Sequence, residues 1–159
     1  MLKKEPYKPL LNELLTPETI MMKTRVKNWE DGIRTAAFPL LQNRFITEQY
    51  VQSMIENVKK FGPYIVIVPK VAIPHARPDN GVLQISMSLL HLEEPVYFSE
   101  EEEHAVHLIF VLAAIDDETH LKALSQLSDL LMEEENINKI LQTKNKQEIL
   151  VLIDQYSSS

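Results

Sequence analysis

The amino-acid sequence predicts an α/β fold, a layered sandwich in which a mixed β-sheet is flanked by helices. Residues 64–68 and 106–115 are apolar on both faces, which is typical of strands covered by helices on both sides. Residues 84–92 alternate apolar and polar side chains, as a strand with one buried face does. Apolar residues at helical spacing precede and follow these strands, so strands and helices share one chain.

The N-terminal part of the chain predicts short elements. Two prolines in residues 1–9 favour an arm, and LLNELL can form a short helix that ends before Pro17. TIMMK, residues 19–23, is the first candidate strand. We expect residues 1–159 to form a single domain, with residues 1–15 as its N-terminal arm and short helix.

Two longer helices are predicted before the first buried strand. Asn28 is a suitable N-cap for one of them, which Pro39 should kink or end because proline lacks an amide hydrogen. Thr47 can cap the next helix, and Gly62 should stop it. The core face of this second helix consists of Tyr50, Val51, Met54, Ile55 and Val58.

The segments that follow differ in their expected burial. The β-branched run at residues 64–68 predicts a buried strand, and the longer apolar run at residues 106–115 predicts a central one. Residues 99–104 are rich in glutamate and predict a solvated loop. In the alternating strand, the polar face would carry Gln84, Ser86 and Ser88.

The last third of the chain predicts helices. The stretch DDETHLKALSQLSDLLMEEE has a helical period, with Asp117 or Thr119 as a possible N-cap. NINKILQTK and KQEILVLIDQY predict two further short helices. The core face of the first of these three helices would consist of Leu121, Leu124, Leu127, Leu130 and Leu131.

Composition excludes several classes of protein. Without cysteine the chain has no disulfide, no thiolate zinc site and no cysteine nucleophile. A net charge of −7 and the lack of any Lys/Arg cluster longer than a pair argue against nucleic-acid binding. No apolar stretch approaches the roughly 20 residues that span a bilayer, and the start lacks the apolar region of a secretion signal. We therefore expect a cytoplasmic protein without direct membrane insertion.

Common cofactor motifs are missing. Three glycines are too few and too scattered to form a Walker loop or a dinucleotide-binding fingerprint. No serine has the G-x-S-x-G context of a hydrolase nucleophile. We therefore expect no cofactor.

The stretch VPKVAIPHARPDNG, residues 68–81, holds the strongest candidate for chemistry, His75. Pro74 and Pro78 restrict the backbone on both sides of this histidine. The polar, turn-forming residues after it follow a strand end, where α/β folds place their sites. Because a lone histidine is more often structural than catalytic, a second residue is needed to support a site.

His120, in DDETHL, is that second candidate. In the first turn of a helix, the positive end of the macrodipole disfavours an imidazolium, so the ring should stay neutral and offer an N–H to an anion. The free backbone N–H groups of a helix start favour an anion as well. His75 facing this helix end would suit an incoming phosphoryl group, and the alternative is a histidine merely tolerated near a helix start.

The other three histidines carry weaker expectations. His91 is expected at a strand edge or in the core, His104 in solvent, and His107 among apolar neighbours on a strand. No two histidines have the i, i+4 spacing of a helical zinc site.

Several segments together resemble the IIA component of the bacterial sugar phosphotransferase system (PTS), of the mannitol/fructose type. They are AIPHA (72–76), the alternating strand (84–92), EPVYF (94–98), the apolar strand (106–115) and DETHL (117–121). FGPYIVIVPKVAIPHARPDNGV, residues 61–82, is similar to the ascorbate, or sugar-acid, branch. The resemblance covers the chain from about residue 16 onward.

This resemblance implies a phosphotransferase that carries a phosphoryl group and uses a phosphohistidine intermediate. His75 would accept the group from the phosphocarrier HPr and pass it to a cysteine of a IIB component. His120 matches the second histidine of the family, which helps to hold the phosphoryl group. The sugar would then be phosphorylated during its transport through a IIC membrane component, with ascorbate, a related sugar acid or a pentitol as the expected substrate.

One position departs from the family pattern. Mannitol- and fructose-type members carry an arginine sixteen residues before the nucleophile, where this chain has Lys59. Lysine is a point charge without the bidentate fork of arginine, so this departure argues against mannitol or fructose as the substrate. Lys70 and Arg77 are further candidates to balance the charge of the phosphate, and a solvated surface role stays open for each.

Two other functions stay open on sequence alone. A PTS-derived regulatory domain would sense the state of phosphorylation and bind a transcription factor or a kinase. A metal-dependent hydrolase would use His75 and His120 with an acid such as Asp116. Transfer to a IIB cysteine distinguishes the carrier from the regulator, and a stoichiometric ion is required by the hydrolase.

Overall fold

The computed structural model describes residues 9–157, and a five-stranded sheet lies at its centre. The order of the strands is β1-β4-β5-β3-β2. They are β1 (Ile20–Lys23), β2 (Val66–Val68), β3 (Lys70–Ala72), β4 (Ser86–Tyr97) and β5 (Ala105–Ala113). The β1–β4 and β3–β5 pairs are parallel and the other two pairs are antiparallel, so the sheet is mixed as predicted.

Six helices in this part of the chain cover the two faces of the sheet. They are α1 (Leu11–Leu14), α2 (Trp29–Gln42), α3 (Glu48–Phe61), α4 (Asp117–Leu131), α5 (Glu134–Gln142) and α6 (Lys146–Gln155). Helices α2 and α3 pack on one face, and α1, α4, α5 and α6 pack on the other. The predicted α/β sandwich is confirmed. None of these helices is long and apolar enough to cross a membrane. Of the predicted arm, residues 1–8 lie outside the described part of the chain.

Alternate residues of the central strand β5 point into two separate cores. Leu108, Phe110 and Leu112 join the core under α4, α5 and α6. Ile109 and Val111 join the core under α2 and α3. This period of two is the geometry of any strand, and it makes both faces of the sheet apolar.

The chain beyond β3 keeps this alternation up to the predicted site. Ile73 faces the core under α4, and Ala76 faces the core under α3. The amide of Leu112 donates to the carbonyl of Pro74 at 3.3 Å, so the segment stays beside β5 after the regular ladder has ended. The alternation therefore directs His75 towards α4.

The strand predictions were wrong about burial at two places. Residues 64–68 are not a buried strand, because β2 covers only three of them at the sheet edge and Ile67 is 48% exposed. A β-branched run favours a strand but does not say how many neighbours that strand has. In β4, by contrast, Ser86 and Ser88 are buried. Helix α2 covers the polar face that was expected in water, and the Ser88 hydroxyl donates to the Ala36 carbonyl at 2.5 Å.

Pro39 does not end α2 as expected. It lies inside the helix, which continues to Gln42, and its ring is buried. The amide of Asn43 still donates to the Pro39 carbonyl at 3.1 Å, so only the hydrogen bond that Pro39 itself would donate is missing. Packing of this buried face outweighs the loss of one hydrogen bond.

The predicted core face of α4 was wrong in its first half, at Leu121, and only partly right at Leu124. Leu121 is 65% exposed and Leu124 is only partly buried. Leucines three residues apart fall about 60° short of a full helical turn at each step, so Leu121 and Leu130 end on opposite sides of the helix. The buried apolar residues are Ala123, Leu127, Leu130 and Leu131.

Candidate functional site

His75 and His120 lie side by side at the end of β3. Their ring centroids are 5.3 Å apart and their planes are inclined by 51°. Both rings are half-buried. His75 follows β3 and His120 belongs to the start of α4, so the fold brings together two residues that are distant in sequence.

A backbone contact fixes the proton on the His75 ring. Nδ1 of His75 lies 2.9 Å from the carbonyl oxygen of Ile73. A carbonyl oxygen can only accept, so Nδ1 carries the hydrogen and donates it. Pro74 restricts the backbone between the two groups, which keeps the ring turned back on that carbonyl. The lone pair of the neutral His75 ring is therefore on Nε2.

Two aromatic side chains extend the histidine pair into a row of four rings. Tyr64 makes an edge contact with His75 at a centroid distance of 6.0 Å, and Phe61 makes one with Tyr64 at 6.2 Å. Phe61 is 63% exposed and Tyr64 is 44% exposed. Sequence reasoning missed this pair, because both residues were assigned to a helix end and a buried strand.

Tyr50 is buried beneath the segment that carries His75. Its hydroxyl donates to the Leu112 carbonyl at 2.6 Å and accepts from the amide of Ala76 at 3.1 Å. Burial raises the pKa of Tyr50 to about 12, and the hydrogen bond with Ala76 opposes this shift. The hydroxyl is therefore a permanent donor near neutral pH. The sequence shows that Tyr50 carries the one hydroxyl on the predicted apolar face of α3, but it does not show the backbone groups that this hydroxyl bonds.

The N-cap of α4 is Asp116 and not Asp117 or Thr119. The Asp116 carboxylate accepts from the amide of Thr119 at 2.8 Å and from its hydroxyl at 2.9 Å. The amide of His120 donates to the Asp116 carbonyl at 3.1 Å, as the first amide bonded within a helix does. His120 thus completes the first turn, and the cap already uses one of the backbone donors expected to be free.

The pKa of His120 is lowered from its ordinary value of 6.5, mainly by burial of the ring. The second cause is the nearby His75, whose positive form repels a second positive charge, while Asp117 opposes the shift. The acids Asp116, Asp117 and Glu118 stand at the helix start and counter the positive end of its macrodipole. His120 is therefore neutral near pH 7, as expected, but burial rather than the macrodipole is the main cause.

The three predicted counter-charges lie on the exposed surface. Lys59 is in the last turn of α3, Lys70 opens β3, and Arg77 follows His75 by two residues. Lys70 has a φ of 76°, which places it in the left-handed region beside Pro69 in the β2–β3 turn. Within residues 9–157, none of the three side chains donates to either histidine ring. Their role in charge balance stays a prediction.

The remaining histidines have local partners. His91 is buried, and its Nε2 donates to the carbonyl of Ile140 at 2.9 Å. His104 is not free in solvent, because its Nδ1 lies 2.6 Å from the Ser99 hydroxyl. His107 bonds a backbone carbonyl of β4 through its Nδ1 at 3.0 Å. These contacts are structural and lie outside the His75 site.

Among residues 9–157, the group of side chains that could share a metal ion does not include His75 or His120. The Asp116 carboxylate, which was the candidate, is bonded to Thr119 as the helix cap. In the part of the chain that the structure describes, one group of three side chains is close enough to share an ion, with ligand atoms within 4.8 Å of one another. It is the surface group of Glu101, Glu103 and His104.

Both histidine rings are partly exposed to solvent at the surface of the protein. Five recesses with volumes from about 240 to 440 Å³ are found elsewhere, and neither histidine lines any of them. Small-molecule sites are usually concave and bury most of their ligand. The arrangement suits a reacting group that another macromolecule presents.

Comparison with known proteins identifies the family to which this fold belongs. Residues 13–156 match the family model described as phosphoenolpyruvate-dependent sugar phosphotransferase system, EIIA 2. The fold is thus that of a component of a sugar phosphotransferase system. The chain belongs to the EIIA 2 family of that system, and the predicted family is confirmed.

Relatives of both the ascorbate and the mannitol type are found. The ascorbate-specific PTS system EIIA component of Escherichia coli (strain K12) is 29% identical over 151 residues, which cover 94% of this chain and 98% of that protein. The solution structure of the mannitol-specific cryptic phosphotransferase enzyme IIA from Escherichia coli is 32% identical, with a TM-score of 0.84, and the match covers 91% of this chain and 98% of that one.

One related structure includes a partner protein. It is the complex of the mannitol enzyme IIA with phosphorylated enzyme IIB from Escherichia coli. The matching chain is 25% identical with a TM-score of 0.79, and the match covers 89% of this chain and 99% of that one. Members of the family therefore bind IIB components, and the family is one of phosphotransfer proteins.

Proposed function

We propose that this protein accepts a phosphoryl group from phospho-HPr on Nε2 of His75 and passes it to a cysteine of a IIB component. The observation that carries this proposal is the 2.9 Å hydrogen bond from Nδ1 of His75 to the Ile73 carbonyl. It holds the hydrogen on Nδ1 and leaves the lone pair on Nε2, which a nucleophilic histidine needs. Membership of a phosphotransfer family supports the same chemistry.

The transfer needs no group beyond the two protein partners. The Nε2 lone pair attacks phosphorus, and the bond from phosphorus to HPr breaks, its electron pair leaving with HPr. Nδ1 keeps its hydrogen, so the phosphorylated His75 ring carries a positive charge and is a good leaving group. The thiolate of the IIB component then attacks phosphorus, and the electron pair of the P–N bond returns to Nε2. Such transfers depend mainly on positioning and charge stabilisation.

His120 and the surrounding charges would hold the phosphoryl group loosely. His120 is neutral, so it can donate one N–H to a phosphoryl oxygen while it adds no charge. Phosphorylation adds about −1.5 to −2 charges. Lys59, Lys70 and Arg77 are the exposed cations that we propose as partial counter-charges. A group held too tightly in the ground state would leave slowly, so weak surface cations suit a carrier.

The surface around the rings suits protein partners. Four apolar or aromatic side chains in the segments that carry the row of rings, or that adjoin these segments, are exposed by at least 44%. They are Phe61, Tyr64, Ile115 and Leu121. Apolar side chains exposed around a reactive group are typical of a docking surface. We propose that HPr and the IIB component use this surface in turn, in the cytoplasm. The IIC membrane component, through which the sugar is transported, would be only an indirect partner of this chain.

We propose ascorbate or a related sugar acid or pentitol as the sugar of this system. The support is the likeness of residues 61–82 to the ascorbate branch and the presence of Lys59 where mannitol and fructose types carry arginine. An ascorbate-specific relative aligns over 94% of the chain. A IIA component does not need to contact the sugar, so the IIB partner is the feature to test.

Phosphorylation by purified partners tests the role of His75. The chain is mixed with phosphoenolpyruvate, enzyme I and HPr, and we expect acid-labile phosphate in the wild type and none in His75→Ala. His107→Ala is the matched control, because its ring also bonds a backbone carbonyl through Nδ1 and should keep wild-type labelling. Labelling that persists in a folded His75→Ala protein would overturn the assignment.

Transfer to IIB tests the pathway. The phosphorylated chain is mixed with an ascorbate-type and a mannitol-type IIB component, and we expect faster transfer to the ascorbate type. Transfer only to the mannitol-type component would overturn the proposed sugar. Phosphorylation without transfer to either component would instead favour a regulatory domain.

A further inference from the structure

We infer that Tyr50 is a positioning residue. Its hydroxyl takes the place of one direct hydrogen bond between two strands, called a rung here, and thereby fixes the position of the His75 backbone. The inference rests on the proposed function only in taking His75 as the reacting residue. Tyr50 contacts neither histidine ring, so it would act through the backbone that carries His75.

The register of the sheet shows which rung is involved. In the parallel β3–β5 ladder, Ala72 stands opposite Ile109. Continuing this register places His75 opposite Leu112, and the Leu112 amide does donate to the Pro74 carbonyl, at 3.3 Å. The segment with His75 therefore still lies in register with β5.

The next rung is not a direct hydrogen bond. In a regular parallel ladder the amide of Ala76 would donate to the carbonyl of Leu112. Instead, the Ala76 amide donates to the Tyr50 hydroxyl at 3.1 Å, and this hydroxyl donates to the Leu112 carbonyl at 2.6 Å. The oxygen of Tyr50 is thus inserted between the two strands and holds them one hydroxyl apart.

Two fixed points therefore bracket the reacting histidine. On one side, the Leu112 amide bonds directly to Pro74, and on the other, the Leu112 carbonyl reaches Ala76 only through Tyr50. The Pro74 side of His75 is therefore bonded directly to β5, and the Ala76 side is bonded to it through the hydroxyl. This change falls at His75, whose Nδ1 donates to the Ile73 carbonyl.

The inserted hydroxyl is itself held firmly. The Tyr50 side chain is 0% exposed, in the first turn of α3. A hydroxyl has one hydrogen, so the 2.6 Å contact to Leu112 uses it, and the 3.5 Å contact to the Ala76 carbonyl is secondary. A tyrosine fixed by its packing can thus act as a rigid spacer.

Removal of the Tyr50 hydroxyl should disturb the bridge between Ala76 and Leu112. In Tyr50→Phe the Ala76 amide and the Leu112 carbonyl either close into a direct bond or stay apart without partners. The first result shifts the backbone after His75 and the second leaves it without its anchor to β5, so either one weakens the bond from Nδ1 of His75 to Ile73. The Nδ1–H form of the ring should then lose population to the Nε2–H form, in which Nε2 is not a nucleophile.

The test compares Tyr50→Phe with Tyr156→Phe. Tyr156 also has a bonded hydroxyl, which donates to Glu133 and accepts from Asn136, away from the site. Ring 15N chemical shifts report the tautomer of His75, and mixing with phospho-HPr gives the rate of phosphorylation. For Tyr50→Phe we expect a shift towards the Nε2–H form and a rate loss of about 10- to 100-fold. Tyr156→Phe should match the wild type in both.

Each outcome decides the inference. A wild-type tautomer and a wild-type rate in Tyr50→Phe would overturn it, as would equal changes in both variants. If Tyr50→Phe does not fold, an ester in place of the amide at Ala76 removes the N–H that donates to the Tyr50 hydroxyl and leaves the tyrosine in place, and it should change the tautomer in the same way. If HPr does not phosphorylate the wild type, the proposed function fails, and the tautomer measurement still tests Tyr50.

Discussion

His75 and His120 are neighbours whose protons are controlled in different ways. The proton on His75 is placed by one hydrogen bond, to the Ile73 carbonyl, which selects a tautomer. The charge of His120 is controlled by burial and by His75 itself. The charge of His120 therefore depends on His75, because a positive charge on His75 disfavours a second one on His120.

The titration of His120 should show this dependence. We expect an NMR-measured pKa below the ordinary value of 6.5 in the wild type. In His75→Gln the pKa should rise, because a repelling charge is removed. Phosphorylation of His75 should raise it as well, since the phosphoryl oxygens are negative and favour the imidazolium. A pKa of His120 that is unchanged in both states would contradict the electrostatic coupling.

The lowered pKa of His120 also makes the stability of the protein depend on pH in a definite direction. The pKa of His120 in the folded protein lies below its unfolded value, so the unfolded chain binds this proton first as the pH falls. His120 should therefore lower the free energy of unfolding below about pH 6.5 and have no such effect above it. Urea unfolding of wild type and His120→Asn on both sides of that pH measures the difference.

Much of the site could be predicted at the level of single residues, but its support could not. Two prolines around His75 and the placement of His120 before a helical pattern were visible in the sequence. The hydroxyl of Tyr50 was not assigned, because its partners are backbone groups of two other segments. A sequence pattern shows which side chains are present. It does not show which backbone groups they bond, because this depends on how the strands pair in the folded protein.

Among the secondary-structure elements, α4 shows how a correct helix can be assigned a wrong face. A helix was predicted within residues 116–135, and it covers Asp117–Leu131 with Asp116 as its cap. The regular leucines were misleading, because a spacing of three residues drifts around the helix. Burial decides the face, and the small Ala123 proved to be part of it.

The corrected face of α4 can be tested by two leucine substitutions. Leu127 is fully buried, so Leu127→Ala should lower the free energy of unfolding by about 2–5 kcal/mol through the cavity it leaves. Leu121 is 65% exposed, so Leu121→Ala should change it by less than about 0.5 kcal/mol. Urea unfolding of the two variants and the wild type gives the comparison. Equal losses in both variants would mean that the orientation of the helix is wrong.

At the scale of the whole molecule, the strands of the sheet differ in how many neighbours they have and in how well they are covered. Strand β5 has neighbours on both sides and covered faces, whereas β2 has three residues at an edge. The sequence predicted the central place of residues 106–115 because their run is long and apolar on both faces. Residues 64–68 are apolar in the same way, but their sequence does not show that β2 lies at the edge, since the order of strands depends on contacts between distant segments.

Hydrogen exchange should follow this difference. Amides of Leu108, Phe110 and other central β5 residues should exchange only when the whole protein unfolds. Amides of β2 should exchange through local opening at a much lower free energy. Native-state exchange followed by NMR measures both. Equal protection of β2 and β5 would contradict the arrangement of the strands.

The rings beside His75 come from opposite sides of the sheet. Tyr64 follows α3, which packs on one face, and His120 belongs to α4, which packs on the other. A half-assembled chain, with only one helical layer docked, would contain the histidine and lack its surroundings. The pair of histidines and the tyrosine beside it would therefore come together only after both helical layers have packed on the sheet.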